Sequence, residues 1–108
     1  MTSPLTPPPG LHTLAAALDR RLEQADEHAL WGEARALTNT ALAHAEQCRS
    51  EGRRVGDDAG FAWLCQRSLQ LWHAWGACAT SGGDGFERSL HIDRASSALA
   101  RAAGAARA

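Results

Sequence analysis

Residues 59–80, AGFAWLCQRSLQLWHAWGACAT, carry the widest apolar surface that any helical segment of the chain would present. One stripe at helical spacing contains Phe61, Cys65, Leu69, Trp72, Gly76 and Ala79. The neighbouring stripe contains Leu64, Ser68, Leu71, Trp75 and Cys78, and only Gln66, Arg67, Gln70 and His73 are left for water. A helix that is apolar over so wide an arc needs neighbours on two sides. The segment therefore predicts the central helix of a helical domain.

The composition of the whole chain agrees with a helical fold. Hydrophobic residues make up 44% of the 108 residues, yet Val and Ile occur once each, at Val55 and Ile92. Since β-branched residues dominate strands, this composition excludes an all-β fold. The four Pro lie within residues 1–10, where three in a row favour an extended form. We expect a Pro-rich flexible arm over residues 1–10 and a single helical domain over residues 11–108.

Three further helices follow from periodicity. The first runs from Leu11 to Glu27, with apolar positions at Leu11, Leu14, Ala15, Leu18, Leu22 and Ala25. The second has a narrow seam formed by Leu30, Ala34, Leu37, Ala41, His44 and Cys48, and ends near Gly52. A single helix across both would be about 63 Å long. Because that is too long for so small a chain, we expect a tight turn near Asp26 to Leu30.

The remaining boundaries come from capping residues. Asp57 or Asp58 can cap the helix that starts near Ala59. After a turn over Ser81–Gly85, capped by Asp84, the fourth helix is expected to bury Phe86, Leu90, Ile92, Ala95, Leu99, Ala102 and Ala106. Short connections place neighbouring helices antiparallel. The prediction is an all-α fold of four antiparallel helices, either an up-down bundle or two stacked helical hairpins.

Charge and targeting signals exclude several classes of partner. The net charge is −1, every one of the 11 basic residues is Arg, and they form no basic block, so nucleic-acid binding is disfavoured. No stretch approaches the roughly 20 apolar residues of a membrane span, and residues 1–10 lack the pattern of a secretory signal. We therefore expect a cytoplasmic protein without a membrane partner. The use of Arg in place of Lys, with the excess of Ala and Gly, is typical of a GC-rich bacterial genome.

The sequence contains no catalytic motif. A Gly-rich phosphate loop, a G-x-S-x-G elbow and an H-E-x-x-H pair are all missing. We therefore expect no enzyme, no catalytic residue and no cofactor.

One cluster could hold a metal. His44 and Cys48 lie four residues apart on one helix face, and folding helix 2 onto helix 3 about residue 54 brings Cys65 opposite His44. Such a trio could ligate zinc or copper(I). Three Cys, an odd number at irregular spacing, fit buried reduced thiols instead. The favoured assignment therefore has no metal, and a metal-binding or redox four-helix bundle using His44, Cys48 and Cys65 remains the alternative.

Four Trp without any Tyr suggest aromatic contacts with a partner. Trp72 and Trp75 belong to the apolar arc and are expected in the core. Trp31 starts helix 2, and Trp63 lies beside the polar strip of helix 3, where it would be either an exposed interface anchor or a half-buried packing residue. The predicted partner-binding residues are Trp31, Trp63, Arg67 and Gln70.

Two segments resemble the tetratricopeptide repeat, a helical-hairpin family. Residues 72–79, WHAWGACA, resemble its W-x2-L-G-x2-Y opening, with Trp75 in place of Leu and Ala79 in place of Tyr. The likeness extends over residues 72–99, and residues 30–42 resemble a second-helix segment of an earlier repeat. The two units lie about 55 residues apart instead of the usual 34, and the closing Pro is missing. The resemblance implies a protein-binding scaffold that accepts a peptide or helix, and two hairpins alone imply dimerisation or a larger partner.

The predicted function is a small non-catalytic protein-interaction module, an adaptor, chaperone or accessory subunit. Its partner would be another protein or a second copy of the chain in a homodimer or larger oligomer. Besides the metal-binding alternative, a helical DNA-binding regulator would place helix 4 in DNA with Arg88, His91 and Arg94 facing outward.

Overall fold

The computed structural model of the chain describes residues 6–78 and 82–104, with the backbone alone for residues 82–84. Over these residues the chain forms the four predicted helices and no strand: α1 His12–Leu22, α2 Glu27–Ser50, α3 Ala59–Ala77 and α4 Gly82–Gly104. Short 3-10 turns at Pro9–Leu11 and Val55–Asp57 precede α1 and α3. The all-α prediction is confirmed.

The first two helices are separate, as expected from their combined length. Asp26 caps α2, and its side chain accepts a hydrogen bond from the Ala29 N–H at 2.8 Å. The break therefore lies at residues 23–26, slightly before the predicted turn, because the cap fixes the start of α2 at Glu27.

The start of α4 differs from the prediction. The helix already includes Gly82–Gly85, which were expected to form a turn. Five expectations concern parts of the chain outside the described residues: Ala79 in the apolar stripe of helix 3, Ser81 in the turn, capping by the Asp84 side chain, burial of Ala106, and the arm over residues 1–5.

The helices α2 and α3 form an antiparallel pair. His44 contacts Asp58 just before α3, whereas Thr38, farther from the connecting corner, hydrogen-bonds Trp72 near the end of α3. Residues earlier in α2 therefore contact residues later in α3. This is the antiparallel arrangement expected of two helices joined by a short connection.

The fourth helix runs parallel to α2 and antiparallel to α3. Glu27 at the start of α2 pairs with Arg88 early in α4. Near the other end, the Arg49 guanidinium donates a hydrogen bond to the Ala102 carbonyl at 3.2 Å. Since α2, α3 and α4 alternate in direction and α4 contacts both of the others, they form an up-down bundle.

The core sets small side chains of α2 against large side chains of α3. Fully buried positions of α2 are small: Ala34, Ala41, Ala45 and Cys48. Buried positions of α3 are mostly large: Phe61, Trp63, Leu64, Leu71, Trp72 and Trp75. Small residues opposite large ones let two helices pack at native density without voids. The predicted α2 seam is confirmed, with Leu30 and His44 only half-buried.

Helix α1 covers a second side of α3. The Arg67 guanidinium donates to the Asp19 carboxylate of α1 at 2.8 Å, and Arg21 of α1 pairs with Glu33 of α2 at 2.7 Å. Leu18 of α1 is almost completely buried. The apolar arc of α3 thus has neighbours on more than one side, as its width predicted.

A buried hydrogen-bond relay joins α2 and α3. The Trp72 indole N–H donates to the Thr38 hydroxyl at 2.9 Å, and that hydroxyl donates to the Ala34 carbonyl at 2.8 Å. Replacing Thr38 by valine keeps the shape but leaves the indole N–H without its partner. We expect the free energy of unfolding to fall by about 1.5 kcal/mol, the cost of an unpaired buried donor.

Thr40 supplies a matched control for this substitution. Its hydroxyl makes the same type of intrahelical bond, to the Ala36 carbonyl at 2.9 Å, but on the exposed face. Urea denaturation should therefore show a much smaller change for Thr40→Val than for Thr38→Val. Equal losses in the two variants would contradict a stabilising role for the relay.

Candidate functional site

The structure places the predicted partner-binding residues in different environments. The expected exposure of Trp63 is wrong, since only 5% of this residue is exposed. The physical reason is the position of α1: Arg67, one turn farther along the same face of α3, contacts Asp19, and Leu18 of α1 belongs to the same buried core as Trp63. Arg67 itself joins α1 to α3 and also donates to the Gln70 side chain at 3.0 Å.

Gln70 and Trp31 remain accessible. Gln70 lines an open depression of about 560 Å³ together with Gln66, Leu69 and His73. Trp31 is half-buried, and the Arg35 guanidinium lies 4.8 Å from the centre of its ring. The structure therefore does not bring the four predicted residues together into one surface.

The predicted His44, Cys48 and Cys65 trio is also corrected. Cys65 lines a shallow groove of about 350 Å³ between α3 and α4, beside Leu99 and Ala103. Asp58 takes the place assigned to Cys65: the donor atoms of His44, Cys48 and Asp58 all lie within 4.8 Å of one another. We call these three side chains the corner cluster, because they meet where α2 turns into α3.

Asp58 is the centre of the corner cluster. Its Oδ2 lies 2.6 Å from His44 Nε2 and accepts the Phe61 N–H at 2.8 Å, which makes Asp58 the N-cap of α3. Its Oδ1 accepts a hydrogen bond from the Arg53 guanidinium. One carboxylate thus caps a helix, contacts His44 and pairs with an Arg.

The connection between α2 and α3 holds Asp58 in this place. Helix α2 ends in a Schellman motif, with hydrogen bonds from Gly52 N–H to the Arg49 carbonyl at 3.0 Å and from Arg53 N–H to the Cys48 carbonyl at 2.8 Å. Gly52 has a φ of 73°, a left-handed conformation that glycine adopts without steric cost. Val55, fully buried, anchors the following 3-10 turn. The connection thus reverses the direction of the chain and places Asp58 opposite His44.

Burial and hydrogen bonding fix the charge states of the corner cluster. Burial works to raise the pKa of Asp58, but the hydrogen bonds from Phe61, His44 and Arg53 outweigh it and lower the pKa to about 2. Burial raises the pKa of the Cys48 thiol, and the negative charge of Asp58 raises it further. The free corner cluster thus combines a carboxylate with a protonated thiol.

Gly60 allows the backbone of α3 to approach the corner cluster closely. A β-carbon at this position would lie 3.0 Å from His44 Nε2 and 3.1 Å from Asp58 Oδ2. Any other residue would crowd both atoms.

Sequence reasoning identified Asp58 as a possible cap but did not connect it with His44. The prediction folded helix 2 onto helix 3 about residue 54, which directs His44 toward the middle of α3. The Schellman turn instead brings the first residue before α3 back to α2. Gly52 followed by the capping Asp58 is the signal in the sequence that could have indicated this contact.

A second distinctive feature lies on α4. Phe86 is 74% exposed and Leu90 is 42% exposed, the large apolar side chains that stand out to solvent among the described residues. Their predicted burial is wrong, whereas Ala95, Leu99 and Ala102 are buried as expected and Ile92 is half-buried. We call Phe86 and Leu90 the α4 apolar pair.

The outward orientation expected for Arg88 is also wrong. Its guanidinium lies 4.6 Å from the centre of the Trp75 ring, donates to the Trp75 carbonyl at 2.7 Å and pairs with Glu27. Because Arg88 is held by these contacts, it is not free to face DNA. His91 and Arg94 are exposed as expected.

Comparisons with known proteins found no match, so the contacts described above are the basis for interpreting the function. Within the part that the structure describes, no helix combines the length and the apolar character needed to span a membrane. The chain matches no protein-family model, no curated protein sequence and no solved structure.

Proposed function

We propose that this chain is a small non-catalytic protein-interaction module, an adaptor, chaperone or accessory subunit, and that the α4 apolar pair is its principal contact. The observation that carries the proposal is the exposure of Phe86 and Leu90 in a chain that buries its other large apolar side chains wholly or partly over the described residues. Burying a Phe or Leu side chain contributes roughly 1.5–3 kcal/mol. A partner that covers the pair gains the part of this free energy that corresponds to the exposed fraction of each side chain, more at Phe86 than at Leu90.

The position of the pair determines what kind of surface fits it. Phe86 and Leu90 are four residues apart and share one face of α4, whereas Ile92, Ala95 and Leu99 lie on the opposite face toward the core. Apolar residues at this spacing are the anchors with which a helix enters an apolar groove. The partner would thus be a protein that offers such a groove to α4. Trp31, half-exposed on α2, remains a candidate for an additional contact.

The state of Cys48 supports the non-catalytic part of the proposal. A cysteine nucleophile reacts as the thiolate and must be reached by substrate. Cys48 is fully buried, and burial raises the pKa of its thiol. The three free cysteines are also what a reducing compartment maintains, in support of a cytoplasmic location.

Removal of the α4 apolar pair should abolish partner binding without unfolding the chain. We expect the double variant Phe86→Ser/Leu90→Gln to bind the partner at least about 30-fold more weakly, since an anchor residue at an interface contributes about 2 kcal/mol or more. The matched control is Ser97→Asn, an exposed position on the same face of α4. Circular dichroism should show equal helix content in all three proteins.

The measurement has two steps. Sedimentation equilibrium of the purified chain first determines whether a second copy is the partner. Affinity capture from the native host then identifies proteins that the wild type and Ser97→Asn retain and the double variant loses, and their dissociation constants are measured with purified components. The proposal fails if the wild type is a monomer and every captured protein binds the double variant as tightly as the wild type.

A further inference from the structure

We propose that the corner cluster of His44, Cys48 and Asp58 is a binding site for one divalent ion of the zinc class. This site is independent of the α4 apolar pair, because it lies at the opposite end of the bundle, near the close of α2. It differs from the predicted trio in that the third ligand is Asp58.

The donor set matches the preferences of zinc. A ring nitrogen, a thiol sulfur and a carboxylate oxygen lie within 4.8 Å of one another. Zinc binds these donors at about 2.0–2.3 Å in tetrahedral geometry. Rotation of the His44 ring away from Asp58 Oδ2 would open their 2.6 Å contact, as two ligands of one ion require, and would leave the Phe61 N–H bonded to that oxygen. The sulfur and nitrogen donors favour zinc over magnesium or calcium, which require oxygen ligands.

An ion can reach the site from solvent. The side chain of His44 is 28% exposed and that of Asp58 is 12% exposed, whereas Cys48 closes the inner side. Three protein ligands leave the fourth position for water, on the side of the exposed histidine.

Gly60 lets the backbone of α3 lie close to the two donor atoms. A β-carbon at this position would lie 3.0 Å from His44 Nε2 and 3.1 Å from Asp58 Oδ2 and would displace both. We therefore expect the arrangement of these two donors to depend on glycine at this position.

Arg53 would act as an outer partner of the bound ion. It holds Asp58 Oδ1 and so leaves Oδ2 directed toward His44. Groups that hydrogen-bond a ligating carboxylate orient it for the metal.

Binding requires one proton to leave and no change of oxidation state. The Cys48 S–H bond breaks, its proton passes to solvent, and the sulfur forms a bond to the ion. The Nε2 proton that His44 donates to Asp58 moves through solvent to Nδ1 of the same ring, so that Nε2 and Asp58 Oδ2 each form a bond to the ion in place of their hydrogen bond.

Cobalt(II) titration of the full, reduced and chelator-treated chain tests the proposal. We expect saturation at one equivalent with a thiolate-to-cobalt charge-transfer band in the near ultraviolet, and displacement of cobalt by zinc. Cys48→Ser should remove the band. His44→Gln, Asp58→Asn and Gly60→Ala should each weaken apparent cobalt affinity at least about ten-fold. Cys65→Ser is the matched control, because this cysteine lies in the groove toward α4 and should leave the titration unchanged.

A second measurement keeps the test decisive if a variant fails to fold. Cadmium NMR of the wild type should show one bound ion with a single sulfur ligand. Zinc should also raise the thermal midpoint of the wild type and of Cys65→Ser, since a ligand that binds only the folded state stabilises it. A titration without saturation at one equivalent, a band that persists in Cys48→Ser, or a band lost in Cys65→Ser would overturn the proposal.

Discussion

Replacing Leu64 by alanine is expected to lower the free energy of unfolding by about 3 kcal/mol. Leu64 lies in the second turn of α3 and is fully buried, so the substitution removes apolar contacts and leaves a cavity that the surrounding helices fill only partly. Domains of this size have a total stability of about 5–15 kcal/mol. A loss of this magnitude would therefore be a large part of the total stability at the lower end of this range.

Leu90→Ala is the matched control for this prediction. The same atoms are removed from a side chain that is 42% exposed on α4. Urea denaturation followed by circular dichroism should show a change of about 0.5 kcal/mol or less for this variant. If Leu90→Ala destabilised the isolated chain as strongly as Leu64→Ala, Leu90 would belong to the core. The α4 apolar pair would then not be available as an exposed contact for a partner.

Replacing Asp58 by asparagine is expected to lower the free energy of unfolding by about 2 kcal/mol at neutral pH. It should also change how this free energy depends on pH at acidic values. Asparagine can still cap α3, but it loses the charge that pairs with Arg53 and contacts His44. The pKa of Asp58 falls from an ordinary value of 3.8 to about 2 on folding. Its ionised form therefore stabilises the fold fully above about pH 4, and this contribution disappears as the pH falls through about 2.

The effect of the Asp58 charge is isolated by the difference in free energy of unfolding between the wild type and the variant at each pH. We expect the stability deficit of Asp58→Asn to be constant from about pH 7 to about pH 5 and to shrink toward zero at about pH 2. Asp57→Asn is the control, because this neighbouring carboxylate is 75% exposed and lies 3.9 Å from Arg54. A change of about 0.5 kcal/mol or less is expected there. A deficit of Asp58→Asn that does not depend on pH would show that its charge contributes nothing.

The helices could be predicted from the sequence because their apolar residues repeat at helical spacing, and because Asp58 caps α3 as expected. The seam of α2 and the arc of α3 are both found where the spacing placed them, since their residues repeat at three and four positions over many turns. On α4 the predicted buried face was too wide, because it included the exposed Phe86 and Leu90. Phe86 and Leu90 precede Ile92 by six and two residues, spacings that place them on the other side of the helix from Ile92, Ala95 and Leu99.

The corner cluster was only partly predictable. The four-residue spacing of His44 and Cys48 places both on one face of α2, and this part was found. Their third neighbour depends on the path of the chain between the helices, which is set by the positive φ of Gly52 and the burial of Val55. Local periodicity contains no information on such a path. The burial of Trp63 was missed for a related reason, since it depends on α1, nearly fifty residues away, through Arg67 and Asp19.

His44 and Asp58 are separated by 14 residues, and Cys48 lies between them. The entropy lost in closing a segment rises only slowly with its length, and here the segment is short and consists largely of a helical turn and a capped corner. All three donors therefore come from one contiguous part of the polypeptide, although the Val55 turn between them packs on α4. Sequence changes in α1, which contributes no side chain to the corner cluster, would weaken the domain while leaving the spacing of the three donors largely intact.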